Sequence, residues 1–297
     1  MIRYLSDDEV AALLPAPADA CELARRSLVE LAQGLVELPP KPSVRPRPDG
    51  FVNAMPAYCS VPDAVAVKIV GVYQSNRARG LPTIAGVVIS VDPENGRIRG
   101  ILSAGSLTAA RTAAATGACL ARLAPAAAGH LAMTGAGVEA RTHLLVAGAL
   151  GWHDIVVYDH RPENVDALTG WAAEHVPAVR VRGATSPGDA ADGAACVVTG
   201  IPIGARGGVL PLESVREDAL VLPIDYSTSV GAELANSAEL LVSDDPDQLA
   251  AVGQLGHFGG WRELDGPVGH WLADGAPARP AGRVVVANLG VGAHDAV

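Results

Sequence analysis

The segment HLAMTGAGVEA, residues 130–140, constrains the fold of this chain more than any other segment does. Its apolar run is followed by Gly135, Gly137 and Ala140, which form the G-x-G-x-x-A pattern of a tight turn between a strand and a helix. The first glycine permits the turn, the second lets the backbone approach a pyrophosphate, and the alanine lets the helix pack closely on the strand. The pattern therefore predicts a Rossmann unit whose helix N-terminus binds the phosphates of a dinucleotide.

The residues after this turn complete the expected unit and indicate the cofactor. A helix is predicted over 138–150, with Gly151 as its end, and the strand DIVVY then leads to Asp159. A carboxylate in this position accepts hydrogen bonds from both ribose hydroxyls and repels a 2′-phosphate, so we expect NAD(H). Arg161 keeps NADP(H) open, because a nearby arginine can bind a 2′-phosphate. Since a strand precedes the glycines and an acid follows, an ordinary glycine turn is the less favoured interpretation.

The residues predicted to contact the cofactor lie on the glycine turn, after the second strand, and in two further segments. The turn residues surround the start of a helix, where free N–H groups suit a phosphate. The full predicted set is Thr112, Gly135, Ala136, Gly137, Val138, Asp159, Arg161 and Thr199.

Two patterns of secondary structure divide the chain. Between residues 51 and 102, strand-like runs follow one another through turns, which is typical of an antiparallel or mixed sheet. From about residue 128, short apolar strands alternate with helical stretches, which is typical of βαβ units and a parallel sheet. A chain of 297 residues is long enough for two domains. The sequence therefore predicts an α/β protein with a doubly wound parallel sheet and an additional α+β region.

Charge and cysteine content exclude several classes of partner and site. The net charge is −10 and the pI about 5.2, so the surface repels phosphate backbones and nucleic acid is not expected as a partner. The four cysteines form no CxxC pair and the eight histidines show no HxxxH or HxH spacing, so we expect no metal. The sequence contains neither an apolar run of membrane-spanning length nor a signal-peptide pattern, so no membrane partner is expected. We expect a cytoplasmic protein with reduced thiols.

Lys68 is the first of several basic residues in unusual settings before the glycine motif. It stands in the apolar strand AVAVKIV, on the face that it shares with Ala66 and Val70. A lysine in such a strand either extends to the edge of the sheet or meets a buried anion, and the pattern alone favours the first.

Arg111 is a second candidate for an anion site. Thr108 is predicted to be the N-cap of the Ala-rich helix 107–124, which places Arg111 in the first turn. A cation there opposes the helix dipole by roughly 0.3–1 kcal/mol, a cost that an anion bound between the helix end and the guanidinium would offset. On its pattern alone Arg111 could equally be a solvated arginine; Arg45 and Arg47, in a Pro-rich segment, are similar candidates for which a simple surface charge is favoured.

The order of these motifs resembles the ornithine cyclodeaminase/mu-crystallin family. The matching segments are MPAY at 55–58, Lys68, Asn76 with GLPT at 80–83, SLTAARTAA at 106–114 and TGAGVEA at 134–140. The resemblance covers nearly the whole chain, and the combination of LT-x-x-RTAA with GAG-x-x-A is specific. The family includes ornithine and lysine cyclodeaminases, NAD-dependent alanine dehydrogenases, ketimine and imino-acid reductases, and mu-crystallin.

The resemblance implies the domain organisation and the assembly. Residues 1–115 would form a substrate-binding and dimerisation domain of the α+β type, which residues 288–297 rejoin. Residues 116–287 would form the NAD-binding Rossmann domain. The protein would be a homodimer.

The resemblance also implies the site. Arg45, Lys68 and Arg111 would hold a substrate carboxylate, and Asp225, at the end of the strand ALVLPID, would stand near the reacting nitrogen. Asp225 and Lys68 are therefore the expected catalytic residues. The expected activity is that of an NAD(H)-dependent oxidoreductase at the C–N bond of a small amino or imino acid, with hydride passing between the nicotinamide and the α-carbon.

Two departures from the family pattern bear on the substrate. Ornithine cyclodeaminase has an acidic residue two positions before the Met-Pro pair, and here that substrate-binding position is Asn53. The acid that the family often has near Ser103 is also missing. Without these acids a distal ammonium has no counter-charge, which disfavours a cyclodeaminase. Two alternatives stay open: a cyclodeaminase that uses NAD catalytically, and a ligand-binding protein like mu-crystallin.

Overall fold

The computed structural model describes residues 2–297 and contains two seven-stranded sheets. The first sheet consists of β1 (Arg3–Leu5), β2 (Val36–Glu37), β3 (Ser43–Arg47), β4 (Gly50–Cys59), β5 (Ala64–Tyr73), β6 (Ile84–Val91) and β7 (Ile98–Ser103). Its order is β1-β7-β6-β5-β4-β2, with β3 also paired to β4. Only the pair β1 and β7 is parallel, so the sheet is mixed, as the sequence predicts.

Three helices accompany the first sheet: α1 (Asp7–Leu13), α2 (Pro17–Ala32) and α3 (Gly105–Leu123). Along β5 the burial alternates, so that Ala66, Lys68 and Val70 are buried while Ile69 is exposed. Side chains of a strand point alternately to the two faces of a sheet, so Lys68 lies on the covered face and Ile69 on the other.

Helix α3 begins earlier than the sequence predicts. Its first residue is Gly105, and Thr108 is a buried residue inside the helix rather than its N-cap. The carboxylate of Asp7 accepts hydrogen bonds from Ser106 N at 2.9 Å and from Ser106 Oγ at 2.7 Å, so a distant side chain satisfies the helix start. Arg111 therefore lies in the second turn, and the prediction that it opposes the helix dipole in the first turn is wrong.

The second sheet is entirely parallel. It consists of β8 (Leu131–Thr134), β9 (Asp154–Tyr158), β10 (Arg180–Gly183), β11 (Cys196–Thr199), β12 (Leu220–Pro223), β13 (Leu240–Ser243) and β14 (Val284–Ala287). The helices that alternate with these strands are α4 (Val138–Ala149), α5 (Pro162–His175), α6 (Pro187–Ala191), α7 (Ala232–Asn236), α8 (Pro246–Gly253) and α9 (Gly269–Leu272). Strands β8, β11, β12, β13 and β14 are buried at every position, because both faces of a doubly wound sheet are covered. The α/β class and the Rossmann sheet that the sequence predicts are confirmed.

The strand order of this sheet, β10-β9-β8-β11-β12-β14-β13, locates its ligand crevice. From β8 the chain adds β9 and β10 on one side and then returns to add β11 and β12 on the other side. Such a switch point, here between β8 and β11, leaves a crevice at the carboxyl ends of the strands. The glycine turn after β8 opens into this crevice.

The C-terminal segment 288–297 leaves the parallel sheet and returns to the first sheet. A 3-10 turn, Gly292–Asp295, packs against α2, α3, β4 and β5. A Cβ on Gly292 would lie 3.2 Å from the carbonyl oxygen of Met55, so the turn sits close to the backbone of β4. This return carries Asp295 into the space between the two sheets. Across residues 2–297, the helices are too short or too polar to cross a bilayer.

Candidate active site

The glycine turn after β8 has the geometry that its sequence predicts. Gly135 has a φ of +93°, and a Cβ there would lie 2.5 Å from the carbonyl oxygen of Gly200, so only glycine fits. At Gly137 a Cβ would meet no atom within 4 Å, which means that the backbone borders open space. Val138, the first residue of α4, is 72% exposed on the same side. The N-terminus of α4 is therefore accessible to an anion.

Asp159, directly after β9, is oriented toward this turn. Its Oδ2 accepts a hydrogen bond from Ala136 N at 2.9 Å, and its Oδ1 accepts one from Arg161 N at 3.0 Å and one from Asn164 Nδ2 at 3.0 Å. These contacts fix the carboxylate beside the second residue of the glycine motif. The Nε atom of Arg161 is buried and has no hydrogen-bond partner within residues 2–297.

Lys68 is the most deeply buried cation of the site. The residue is 1% exposed, and its Nζ lies 2.9 Å from Oδ1 and 2.8 Å from Oδ2 of Asp295, whose side chain is also 1% exposed. The pKa of Lys68 is lowered to about 8, chiefly by burial and then by nearby Arg111, while Asp295 opposes both effects. Of the two interpretations of Lys68 left open by its sequence, the structure shows the buried ion pair rather than extension to the sheet edge.

Arg111, on α3, also contacts the carboxylate of Asp295. Its Nε lies 3.5 Å from Asp295 Oδ1, which is an ion-pair contact but too long for a good hydrogen bond. The C-terminal segment passes directly over the guanidinium at Gly290, where φ is +78° and a Cβ would collide with Arg111. Asp295 therefore brings Lys68 and Arg111 together while their remaining N–H donors stay available for another anion.

Lys41 is a third cation of this group, and the sequence gives no reason to select it. Its Nζ donates to the carbonyl oxygen of Leu289 at 2.7 Å, and its backbone N donates to Gln248 Oε1 at 2.8 Å. Burial lowers the pKa of Lys41 to about 8, with Asp244 opposing and Arg111 reinforcing this effect. We refer to Lys41, Lys68 and Arg111 as the cation cluster.

Arg45 and Arg47 form no ion pair with Asp295, but Arg45 lines the same cavity as Lys41, so its expected part in holding the substrate carboxylate stays a prediction. Both residues are on β3, the exposed strand. The guanidinium carbon of Arg45 lies 5.7 Å from the centre of the Phe51 ring, and Nη1 of Arg47 donates to the carbonyl oxygen of Pro46 at 2.6 Å. Residues 39–48 contain five prolines and three cations, and their spacing does not distinguish Lys41 from the two exposed arginines.

A cavity of about 250 Å³ lies beside the cation cluster, between the first sheet and the parallel sheet. Lys41, Arg45 and Asn53 line it from the first sheet, and Tyr226 and His257 from the other side. Tyr226 has a φ of 60°, an unfavourable conformation for a side chain of this size, and its ring packs edge-on against His257 at 5.2 Å. Three of these five residues can carry positive charge, and Asp49 is the one acid of the lining, so the cavity has an excess of basic groups.

Asp225 does not face this cavity as an available acid. The residue is 1% exposed, and its oxygens accept hydrogen bonds from Thr199 Oγ1 at 3.0 Å, Ser229 Oγ at 2.6 Å and Ile201 N at 3.3 Å. Burial raises its pKa, and these hydrogen bonds oppose the rise. Its carboxylate holds together the loops that follow β11 and β12, and its expected role near the reacting nitrogen stays a prediction.

Two of the predicted cofactor residues make contacts within the chain. Thr199, at the end of β11, donates to Asp225, as described above. Thr112 is partly buried on α3, and its Oγ1 donates to the carbonyl oxygen of Thr108 at 2.7 Å. Both hydroxyl groups can still accept a hydrogen bond, because an oxygen of this kind has two lone pairs.

Glu139, in the first turn of α4, is an acid that sequence reasoning did not select. Its Oε2 is buried without a hydrogen-bond partner among the described residues, 4.0 Å from Nδ1 of His143. Burial raises the pKa of Glu139 to about 7, although Arg111 and Lys68 oppose that rise. The glycine motif and the cation cluster therefore lie near enough to influence each other electrostatically.

A parallel Rossmann sheet with this glycine turn, facing a buried cation cluster on a second sheet, defines a two-sheet dinucleotide-binding protein of a known type. The model of the ornithine cyclodeaminase/mu-crystallin family matches residues 5–263. The chain belongs to this family, as the sequence motifs imply.

Individual relatives agree with this assignment. Nodulation efficiency protein NfeD of Rhizobium meliloti is 28% identical over 305 residues, which cover 99% of this chain and 92% of that protein. Delta(1)-pyrroline-2-carboxylate reductase 2 of Burkholderia ambifaria is 32% identical over 241 residues, which cover 80% and 75% of the two chains. The structure of Thermococcus litoralis Delta(1)-pyrroline-2-carboxylate reductase, in complex with NADH and L-proline, matches with a TM-score of 0.87 at 20% identity over 99% of this chain and 94% of that one. That likeness shows a common fold.

Proposed function

We propose that this protein is an NAD(H)-dependent reductase of small imino acids, or equivalently an amino-acid dehydrogenase working in the opposite direction. The observation that carries the proposal is the pairing of Lys68 and Arg111 on Asp295, next to the crevice of a dinucleotide-binding sheet. A carboxylate bound by these two cations would hold the adjacent C=N carbon at the crevice, which is catalysis by positioning.

The charges of the site favour an anionic substrate. Asp295 neutralises one of the two cations that it contacts, and the other is left to bind a carboxylate. A guanidinium can bind a carboxylate through two parallel hydrogen bonds, while an ammonium with three donors acts as a point charge. Lys68 donates one hydrogen bond to Asp295, at Oδ1, and keeps two N–H donors for the substrate.

The residues of the crevice fit NAD(H). Gly137 leaves room for the pyrophosphate, the N-terminus of α4 supplies N–H donors, and the Asp159 carboxylate stands where the ribose hydroxyls would lie. The bound cofactor would supply a hydride to the substrate carbon or take one from it. The unpartnered Nε of Arg161 leaves NADP(H) as the alternative cofactor.

The chain's own groups account for binding and for the proton. Arg111 and Lys68 bind the carboxylate, and the Lys68 ammonium, with a pKa of about 8, is a proton donor suited to the nitrogen during reduction. In balance, the C=N group gains one hydride at carbon and one proton at nitrogen, while NADH becomes NAD⁺.

The cavity next to the cation cluster favours the reductase over the runner-up, an ornithine or lysine cyclodeaminase. A cyclodeaminase binds the distal ammonium of a diamino acid, and a buried ammonium needs a counter-charge. Here the buried position is held by the neutral Asn53, and Lys41 and Arg45 line the same cavity. The one acid of the lining, Asp49, is exposed and accepts a hydrogen bond from Ser75 N. We therefore propose a substrate whose side chain is short, neutral or acidic.

One pair of assays distinguishes the candidate functions. The purified protein is given NADH with Δ1-pyrroline-2-carboxylate, and with small oxo acids plus ammonia or methylamine, and NADH absorbance is followed. In parallel, L-ornithine and L-lysine are supplied with a trace of NAD⁺ and ammonia is measured. NADH oxidation supports the reductase, and ammonia release without net NADH change would establish the cyclodeaminase instead. Tight binding of an imino acid with neither reaction would indicate a ligand-binding protein.

We also propose the organisation that accompanies this function. Residues 1–115 form the substrate-binding and dimerisation domain, rejoined by 288–297, and residues 116–287 form the NAD-binding domain of a homodimer. The archaeal alanine dehydrogenase of the same fold is described as a dimer with bound NAD. The four cysteines are all buried free thiols, which supports a reducing, cytoplasmic location.

A further inference from the structure

Asn288 is the first residue after β14 and lies between the parallel sheet and the cation cluster. Its backbone N donates to the carbonyl oxygen of Pro223 at 3.0 Å, which fixes it at the carboxyl end of β12. The following residue, Leu289, accepts a hydrogen bond from Lys41 of the cation cluster at 2.7 Å. Asn288 therefore stands at the carboxyl edge of the sheet, next to the residue that contacts the cation cluster.

The side-chain amide of Asn288 has no partner within the described residues. Asn288 is 5% exposed, and both its Nδ2 and its Oδ1 are buried without a hydrogen bond. Most buried polar side-chain atoms in folded proteins are paired, so an amide with donor and acceptor both free requires an explanation. Other asparagines of this chain behave differently: the amide of Asn164 donates to Asp159, and that of Asn236 donates to Gly260 and accepts from Arg262.

We propose that Asn288 binds the carboxamide of the nicotinamide ring, an assignment that rests on the proposed NAD(H) site. A carboxamide presents one oxygen acceptor and one NH₂ donor, which complement the free Nδ2 donor and Oδ1 acceptor of Asn288. The reacting ring must lie between the pyrophosphate at the glycine turn and the substrate carbon at the cation cluster, and Asn288 is held at the carboxyl end of β12, on the same edge of the sheet as the glycine turn and next to the residue that Lys41 contacts. Two hydrogen bonds to the carboxamide fix the rotation of the ring, and therefore which face of it meets the substrate.

The comparison of NADH with ADP-ribose tests this role without any catalytic turnover. ADP-ribose has the adenosine, the pyrophosphate and both riboses, but no nicotinamide. In the variant Asn288→Leu we expect NADH to bind about tenfold more weakly, which corresponds to about 1.4 kcal/mol, while ADP-ribose binds as in the wild type. Dissociation constants from isothermal titration calorimetry give both values.

Asn164→Leu is the matched control, because Asn164 contacts Asp159 at the adenosine end of the cofactor. It should weaken NADH and ADP-ribose by the same factor. If Asn288→Leu also weakens the two nucleotides equally, or weakens neither, Asn288 does not bind the carboxamide. The apoprotein of Asn288→Leu should melt no lower than the wild type, since no hydrogen bond is lost; a lower Tm would indicate a structural amide and would count against the proposal.

A second measurement uses the wild-type protein and so does not depend on how a variant folds. In 3-acetylpyridine adenine dinucleotide a methyl group replaces the NH₂ of the carboxamide, so one of the two proposed hydrogen bonds is lost. The wild type should bind this analogue several-fold more weakly than NAD⁺. Equal affinities would overturn the proposal. These measurements need no substrate, so they can succeed even if the proposed reductase activity is absent.

Discussion

Arg111 is the residue whose removal tests the carboxylate clamp most directly. In Arg111→Ala we expect kcat/KM for the best imino acid to fall by an amount equivalent to about 2–5 kcal/mol, because a desolvated partner of the substrate carboxylate is lost. The Kd of NADH should change little. Steady-state kinetics and calorimetric NADH titration measure the two effects.

Arg47→Ala is the control for this prediction, since Arg47 is exposed and bonds only to the carbonyl oxygen of Pro46. It should retain wild-type kcat/KM. If Arg111→Ala also retains it, the substrate carboxylate binds elsewhere and the clamp assignment fails.

The second prediction concerns Asp159, which we expect to set the preference for NADH over NADPH. Its carboxylate is held beside the glycine turn, where it would repel a 2′-phosphate. Asp159→Ser should therefore lower the ratio of kcat/KM for NADH to that for NADPH by at least about tenfold. Asp154→Ser, at the other end of the same strand where Asp154 pairs with Arg182 at 3.0 Å, should leave the ratio unchanged. A wild-type preference for NADPH would contradict the assignment.

Some residues of the site could be predicted from the sequence and others could not. Lys68 stands out because a charge interrupts an apolar strand, and Gly135, Gly137 and Asp159 follow a local pattern that fixes a turn. Asp295 gives no such signal, because its partner Lys68 lies 227 residues away and only the return of the C-terminal segment brings them together. Local sequence patterns report local structure, so an ion pair between distant segments has to be seen in the fold.

At the scale of the element, most strands were predictable to within one or two residues. The parallel strands are buried on both faces and form short continuous apolar runs, which are easy to recognise. Strand β4, which extends to Cys59, is harder to delimit from the sequence, because Asn53 and Pro56 interrupt its apolar pattern. The start of α3 was misplaced because its cap is a carboxylate from the N-terminal segment, which the sequence around the helix does not contain.

The third prediction concerns the C-terminal segment 288–297, which places Asp295 beside Lys68. Asp295→Asn removes the charge that opposes the lowering of the Lys68 pKa, while burial and Arg111 still lower it. In the wild type, kcat/KM should fall as pH rises through about 8, because Lys68 must be protonated to bind the carboxylate. In Asp295→Asn this alkaline limb should move down by about one pH unit or more, with reduced kcat/KM throughout.

Asp244→Asn separates the charge effect from the docking of the segment. Asp244 accepts a hydrogen bond from Gly290 N at 2.7 Å, so it also holds the segment, but it makes no ion pair with Lys68. This variant should lower kcat/KM without moving the alkaline limb. An unmoved limb in Asp295→Asn would show that Lys68 is not the titrating group, and higher activity in that variant would mean that Asp295 competes with the substrate.

At the scale of the whole molecule, the uncovered face of the first sheet is the surface on which a second subunit would pack. Ile69 is 41% exposed at its centre, directly opposite Ala54 on β4 and Val87 on β6. The neighbouring pairs on this face bring Pro56 and Ile89 beside Val67. A continuous apolar area of this kind is unusual on a monomer and is typical of an interface.

The last prediction is that the protein is a dimer through this face. Light scattering on the eluted wild type should give twice the chain mass of 30.2 kDa. In a two-fold interface each patch meets its own copy, so Ile69→Glu introduces two charges into one contact and should shift the mass to that of the monomer. Leu13→Glu, which changes an equally apolar and 70% exposed side chain on α1, should remain dimeric.

Since Ile69 and Lys68 are adjacent on β5 but point to opposite faces, the monomeric variant should still bind NADH. A monomeric wild type at micromolar concentration, or a dimeric Ile69→Glu, would show that the subunits do not meet on this sheet.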